Sequence, residues 1–369
     1  MEDRMTILMT TDTVGGVWVY SLELCKALQK YEVQVHLLAM GHWPTEEQER
    51  EAATLDNVIL YKSDFKLEWM QDPWEDVEKA RKWINCVYHT VNPDLVHLNN
   101  YAQVRGDWEC PTISVFHSCV QTWWQAVKGT SAPAQWQQYT ETVKNSLQCS
   151  DVVVSPSKAI LKKAKATHGF TSETKVIYNG RNLSFPEKKE KENLIFCIGR
   201  IWDEGKNLLM LAKMARNLPW PVYIAGSNIN PSTGRSVEIE NVHFLGSLSQ
   251  SELKDWIQRA GIFVSPTKYE PFGLAILEAA EAGCALALSN IETLQELWGE
   301  TALYFDPQDR EEAQAQILRL IKNESLRKEY SEKALTRSAC YTAEKMGEAY
   351  YGLYQTSIHK KQEQKLMSI

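Results

Sequence analysis

Short apolar runs alternate with longer stretches of helical period along this chain, and the alternation occurs twice. In the first series "MTILMTT" (residues 5–11), "VQVHLLAM", "DLVHLN", "TISVFHS" and "DVVVSPS" read as strands. "VYSLELCKALQK", "WEDVEKARKWINCVYHTV" and "AQWQQYTETVKNSLQC" read as the helices between them. Strands that are apolar on both faces belong in a parallel sheet, and helices between them cover it on both sides. The second series has strand candidates "LIFCIG", "PVYIAG", "VHFLG", "IFVSPT" and "ALALS". Its helices are "NLLMLAKMARNL", "QSELKDWIQRA", "LAILEAAEAG" and "REEAQAQILRLIKN".

This pattern specifies an α/β fold with doubly wound parallel sheets. The 369 residues exceed one ordinary core at roughly 100–200 residues per domain. We therefore expect two Rossmann-like β/α/β domains facing each other across a cleft, residues 1–182 and 183–339. The charged, proline-bearing stretch "FPEKKEKEN" (185–193) is the expected exposed linker. No short repeat or low-complexity tract appears.

The net charge of −7 disfavours a nucleic-acid partner. Residues 1–180 carry 17 Lys and Arg against 22 Asp and Glu, so broad basic charge does not support peripheral membrane contact there. Eight cysteines, Cys25, Cys86, Cys110, Cys119, Cys149, Cys197, Cys284 and Cys340, form no CxxC pair and read as buried small hydrophobes in a reducing cytoplasm. No apolar run approaches the roughly 18–20 residues of a membrane span, and "MEDRMTILMTTDT" does not read as a signal peptide.

Ligands of doubly wound sheets bind beyond the carboxyl ends of the strands, so the loops there carry the chemistry. Gly15-Gly16 follows the first strand; it is either a tight turn needing positive φ or a place where backbone N–H groups approach a ligand. The stretch is not GxGxxG, which argues against a dinucleotide cofactor. His117 ends "TISVF"; it is either a hydrogen-bonded structural residue or a contact to a substrate hydroxyl, with its own charge as a further aid to the reaction. Trp123, Trp124 and Trp136 follow; packing is the default for each, and stacking on an acceptor sugar is the functional option.

Arg200 follows "LIFCIG", and Lys206 lies where the next helix begins. Either residue alone would by default be a solvated surface charge; two cations beside a helix N-terminus, one of them following Gly199 at a strand end, are the alternative, an anion site. After "IFVSPT" comes "KYEPFGLAILEAAEAG". The N–H groups of Phe272, Gly273 and Leu274 leave the first turn of a helix and offer a second anion cradle. Glu278 shares a face with Leu274 among apolar neighbours and needs a partner. Vicinal hydroxyls of a ribose would serve, since a carboxylate accepts a hydrogen bond from each. Glu270, outside the helix, reaches another part of the same ligand. A helix-dipole partner and a surface Glu would explain the two glutamates singly, but the whole constellation, diphosphate in the middle, ribose on one side and sugar on the other, outlines a nucleotide sugar.

"EPFGLAILE" carries the paired glutamates, with seven residues between them, of family 4 glycosyltransferases, and "GGVWVYSLELCKAL", the His-Ser after the strand, "VSPSKAI", "VIYNG" and "GRIWDEGKN" stand in the family's order. The chain resembles this family over nearly its whole length. The resemblance implies the GT-B fold, with residues 340–369 forming a helix that crosses back to the N-terminal domain and a frayed polar tail to Ile369. It implies retaining hexosyl transfer to a hydroxyl acceptor from a UDP or GDP sugar, with no tightly bound cofactor and no divalent metal. Arg200 and Lys206 would neutralise the donor diphosphate, and Glu278 would bind the ribose. Glu270 and the Phe272-Gly273-Leu274 backbone would hold hexose and phosphate. His117 would contact the hexose near the anomeric carbon. Gly16, supported by Gly15, would line the phosphate, and the acceptor would sit in the N-terminal domain.

Two departures stand out. The family's "NG" is often followed by an apolar residue and Asp, whereas this chain has Arg181 and Asn182. A proline often seen before the Gly-Gly pair is missing. The donor's base and sugar are expected to be set around "FLGSLSQSE" (244–252). Competing readings are a nucleotide-sugar epimerase or a disaccharide synthase or phosphorylase on the same fold, a non-catalytic sugar-nucleotide-binding protein, and, more distantly, an NAD-dependent oxidoreductase.

Overall fold

In a computed structural model, the structure describes residues 4–104, 108–183, 185, 189–230 and 234–367. Residues 186–188 of the expected linker, residues 1–3 and the last two residues of the expected tail lie outside the described residues.

The chain divides into two compact units: residues 1–122, 131–180 and 343–369, and residues 123–130 with 181–342. The boundary expected after Asn182 compares with a division between Gly180 and Arg181. The first series of elements is β1 (Thr6–Asp12), α1 (Gly16–Leu28), β2 (Gln34–Met40), α2 (Glu46–Ala53), β3 (Val58–Lys62), α3 (Trp74–Val91), β4 (Leu95–Leu98), β5 (Thr112–Val115), α4 (Val120–Lys128), α5 (Gln137–Cys149), β6 (Val152–Ser155), α6 (Lys158–His168) and β7 (Glu173–Val176). All strands pair in parallel in the order β3-β2-β1-β4-β5-β6-β7. β1, β4, β5 and β6 are almost wholly buried, as their apolar runs require.

The second series is β8 (Glu192–Ile198), α7 (Leu208–Ala215), β9 (Val222–Ala225), β10 (His243–Gly246), α8 (Gln250–Arg259), β11 (Ala260–Ser265), α9 (Leu274–Glu281), β12 (Ala285–Ser289), α10 (Glu292–Trp298), β13 (Leu303–Phe305), α11 (Arg310–Lys322) and α12 (Glu324–Ser338). Its parallel sheet has the order β10-β9-β8-β11-β12-β13. In both sheets the strand order reverses beside the first strand, giving a switch point at β1/β4 and another at β8/β11, the kind of place beyond whose strand ends open α/β sheets bind ligands.

The final helix, α13 (Ala343–Met367), belongs to the first unit. Gly347 brings it onto α1 so closely that a Cβ there would lie 2.6 Å from that of Ala27. Met346, Tyr350, Leu353 and Tyr354 complete the core formed by β1, β2, β5 and α1. The helix continues to Met367, so the frayed polar tail expected up to Ile369 is corrected as far as that residue: Lys360, Lys361 and Lys365 pair with Glu173, Asp151 and Glu109 at 2.9, 3.2 and 3.0 Å. Surface pairs of this kind are individually weak, but three of them along one helix favour its last turns over fraying.

Candidate active site

In the second unit the β8–α7 loop carries Arg200 and Lys206, and the β11–α9 loop carries Glu270. The two loops are stitched together. Thr267, 1% exposed, places its hydroxyl 2.7 Å from Gly205 O, and the Lys268 N–H donates to the same carbonyl at 2.8 Å. Asn207 caps α7 in the left-handed region at φ 55°, which Asn tolerates better than most residues. Its Nδ2 donates to Pro266 O and Pro307 O, both at 2.9 Å, and so ties the loops after β8, β11 and β13 together.

On this frame the charges are paired. The Lys206 ammonium lies 2.6 Å from Glu270 Oε2, both partly buried. The Arg200 guanidinium, half exposed, meets Asp203 Oδ2 at 2.8 Å and lies over the Trp202 ring at 5.0 Å. Buried Asp203 is the hub of its loop: Oδ1 also accepts from the Gly205 N–H at 2.9 Å and from the Trp123 indole N–H at 3.1 Å. The two cations expected to form an anion site alone thus each carry a carboxylate partner. Trp123, a candidate for stacking on an acceptor sugar, has its indole N–H committed to Asp203. Its ring meets Trp124 edge-on at 6.0 Å, and Trp136 meets Tyr139 in the same way at 5.7 Å.

Helix α9 begins just after the β11 loop. Gly273 caps it at φ +87°, with Ile276 Cδ1 only 2.8 Å from where a Cβ would stand. The Phe272 ring points inward, 4% exposed and edge-on to Tyr341, so its contribution to a ligand is restricted to backbone. The first N–H groups of the helix have no partner within it, as at any helix start. Glu278 is 7% exposed between Leu277 and Ala279, both fully buried. Its partner is supplied by the protein: the Arg181 guanidinium binds Glu278 Oε1. Arg181 Nη2 also donates to Gln250 Oε1 at 3.0 Å, and its backbone N–H donates to Tyr341 O at 3.1 Å. The sequence argument required a partner for this carboxylate and missed that Arg181, 97 positions away, provides one.

In the first unit, Asp12 at the end of β1 accepts the N–H groups of Val14 and Gly15 through Oδ1 at 3.0 and 3.1 Å. Gly15 has φ −149° and Gly16 opens α1 as an ordinary helical residue, so the positive-φ reading of this pair is corrected. A Cβ at either would meet nothing within 4 Å, leaving open space for close approach. His117 Nε2 lies 2.8 Å from Asn99 Oδ1, and its ring meets Tyr20 edge-on at 4.7 Å. Asn99 Nδ2 donates to Thr10 O at 2.8 Å, which turns Oδ1 toward the histidine. Nε2 therefore carries the proton and Nδ1 the lone pair. Burial pushes His117 down to about 3, so the expectation that its own charge assists the reaction is corrected: the ring is neutral at physiological pH.

Cysteines depart from uniform burial: Cys25, Cys119, Cys197 and Cys284 are buried, Cys110 is intermediate, and Cys86, Cys149 and Cys340 are exposed; all eight are free thiols. Among the described residues no helix is long and apolar enough to cross a membrane, and no group of three or more His, Cys, Asp or Glu side chains could hold a metal ion.

Two family models match the chain, Glycosyltransferase Family 4 over residues 14–185 and Glycosyl transferases group 1 over residues 181–337. The chain belongs to the family 4-type glycosyltransferases, of the GT-B fold. The O-antigen chain mannosyltransferase RfbU of Salmonella typhimurium is 30% identical over 190 residues, 47% of this chain and 52% of that one. The match thus spans about half the length of that relative. Among solved structures, sucrose-phosphate synthase from Thermosynechococcus elongatus superimposes with a TM-score of 0.78 at 18% identity, over 96% of this chain and 99% of that one. Anabaena HepE in complex with UDP-glucose gives 0.71 at 15% identity, over 95% and 100%.

Proposed function

We propose that the protein is a retaining hexosyltransferase that moves a sugar from a nucleotide-diphosphate donor to a hydroxyl acceptor. The observation that supports this most is the charged set at the β8/β11 switch point: Arg200 and Lys206 from one loop, Glu270 from the next, and buried Glu278 in the helix behind it. In the reaction the bond from the anomeric carbon to the diphosphate oxygen breaks and a bond to the acceptor oxygen forms on the same face. The acceptor proton passes to the departing phosphate. Negative charge grows on the leaving group, where Arg200, Lys206 and the backbone N–H groups of Phe272, Gly273 and Leu274 stabilise it. Two fixed cations supply what a divalent metal would, so the proposal requires no metal and no tightly bound cofactor.

An incoming diphosphate competes with Asp203 for Arg200 and with Glu270 for Lys206. Displaced from the ammonium, the Glu270 carboxylate becomes an acceptor for hexose hydroxyls, and Glu278 accepts from the nucleotide ribose. The roles of Gly15, Gly16 and His117 stand as the resemblance gives them, with one refinement: a neutral His117 with its lone pair on Nδ1 accepts a hydrogen bond from a hexose hydroxyl. HepE, crystallised with UDP-glucose, supports a UDP sugar as donor, and RfbU supports a glycan as acceptor. Free thiols fit action in the reducing cytoplasm.

A thermal-shift screen against UDP, GDP and ADP sugars tests the donor, with stabilisation expected for one base. Free nucleoside diphosphate should then appear only when an acceptor is added; its absence together with sugar isomerisation would identify an epimerase instead. For Glu278→Ala a raised calorimetric Kd for the nucleoside diphosphate is expected, and unchanged affinity would show the ribose to lie elsewhere.

A further inference from the structure

The Arg181–Glu278 pair is nine-tenths buried on both sides, with side-chain exposures of 8% and 9%. Burying two charges gains little stability over an apolar pair of the same volume, because desolvation offsets the attraction. The pair is better explained by what its charges hold in place. One planar guanidinium spans two acceptors, Glu278 in α9 and Gln250 in the first turn of α8, while its own backbone is fixed to Tyr341. The start of α8 is fixed in turn by Ser249, whose side chain caps the helix in a reciprocal box with Glu252. Gln250 lies within the stretch expected to face the donor base (244–252), and Glu278 faces the ribose in the proposal above. A carboxylate has about four lone-pair sites, so a bond to Oε1 is compatible with acceptance from vicinal hydroxyls.

We propose that Arg181 is a positioning residue for nucleotide recognition: it fixes the Glu278 carboxylate against Gln250 and thereby sets a preference for ribose over 2′-deoxyribose. This rests on the assignment of Glu278 to the ribose. With the guanidinium gone, the carboxylate loses a partner that fixes its rotamer, and with it part of the preorganisation that makes each hydroxyl contact effective.

The test is isothermal calorimetry of the full chain with UDP and GDP and with their 2′-deoxy counterparts. The wild type should bind the ribonucleotide of one base about tenfold or more tighter than its deoxy form. In Arg181→Met the ribonucleotide affinity should fall by about tenfold and the ribo-to-deoxy ratio should approach one, with Arg181→Lys intermediate. Adding Glu278→Gln to Arg181→Met should cost nothing further, because the two act as one unit. A wild-type ratio retained in Arg181→Met overturns the proposal, including the case where both affinities drop equally, since that is a merely structural loss. A wild type without ribose preference overturns it as well. Should Arg181→Met fail to give a native circular dichroism spectrum, Arg181→Lys decides by its ratio. Failure of the underlying reading looks different: the wild type binds neither nucleotide, or Glu278→Gln keeps the full ribo-to-deoxy ratio.

Discussion

Arg200 differs from Lys206 in how tightly it is held. Arg200 is half exposed and bonded to a carboxylate three positions away, so it swings toward an anion at little cost. Lys206 is more buried, and Glu270 holds it across two loops. Both should nevertheless matter for leaving-group stabilisation. Arg200→Ala and Lys206→Ala are each expected to lose turnover on the order of 10²–10³, measured as acceptor-dependent release of nucleoside diphosphate. Near-normal rates in both would remove them from the diphosphate. His117 offers a second check at this scale. Long-range 1H–15N spectra should show a protonated Nε2 and a bare Nδ1, unchanged as the pH is lowered from 7 to 5. A proton on Nδ1 would break the chain through Asn99. Arg200 and Lys206 were legible in the sequence because each lies beside a strand end or a helix start, and Glu278 because it is a charge among the apolar neighbours of a helix. Arg181 and Asn99 were not, because the partner of each becomes visible only when distant segments fold together: Arg181 meets Glu278 and Gln250, and Asn99 meets Thr10 and His117.

Among the elements, central strands announced themselves, as did the edge strand β10 in "VHFLG", but three other edge strands did not. β1, β4, β5 and β6 are apolar on both faces and read directly as strands. β3 and β7, the two edges of the first sheet, alternate with exposed residues, and β13, an edge of the second, has three residues, so none of these runs was recognised. Helix α12 carries charges around most of its circumference and was missed for the same lack of an apolar stripe. Gly273 is the element-scale position with the clearest consequence. Its left-handed backbone costs an L-residue about 1–2 kcal/mol, and a methyl group there also meets Ile276 at 2.8 Å. Gly273→Ala should lower the melting temperature by roughly 4 °C or more and weaken nucleoside-diphosphate binding. Unaltered melting would mean that the start of α9 adapts freely.

Across the whole molecule, the two series of strands and helices were legible from their period. The grouping of residues 123–130 with the second unit was not, because it depends on contacts such as Trp123 with Asp203. Stability should carry a pH signature from the first unit. His97 is fully buried, its Nδ1 2.7 Å from the Tyr354 hydroxyl, and burial pushes it down to about 3, as for His117; His168 falls to about 4 for the same reason. The unfolded chain takes up these protons near pH 6.5 while the native protein does not, so stability is lost as pH falls below about 6.5. Calorimetric melts at pH 7.5, 6 and 5 should show a declining transition, and His97→Gln should flatten part of the decline. A transition independent of pH over that range would contradict the burial of His97 and His168.

Placing α13 in the first unit also fixes an order of events at the ribosome. The residues between Gly180 and Ala343 must be translated before Tyr350 and Tyr354 can seal the face formed by Tyr20 and His97. At about 5–20 residues per second that interval lasts about 8–30 s, during which the nascent amino-terminal half exposes an unsealed aromatic surface. The half encoded second is thus fully translated before the half encoded first, whose closing helix emerges last.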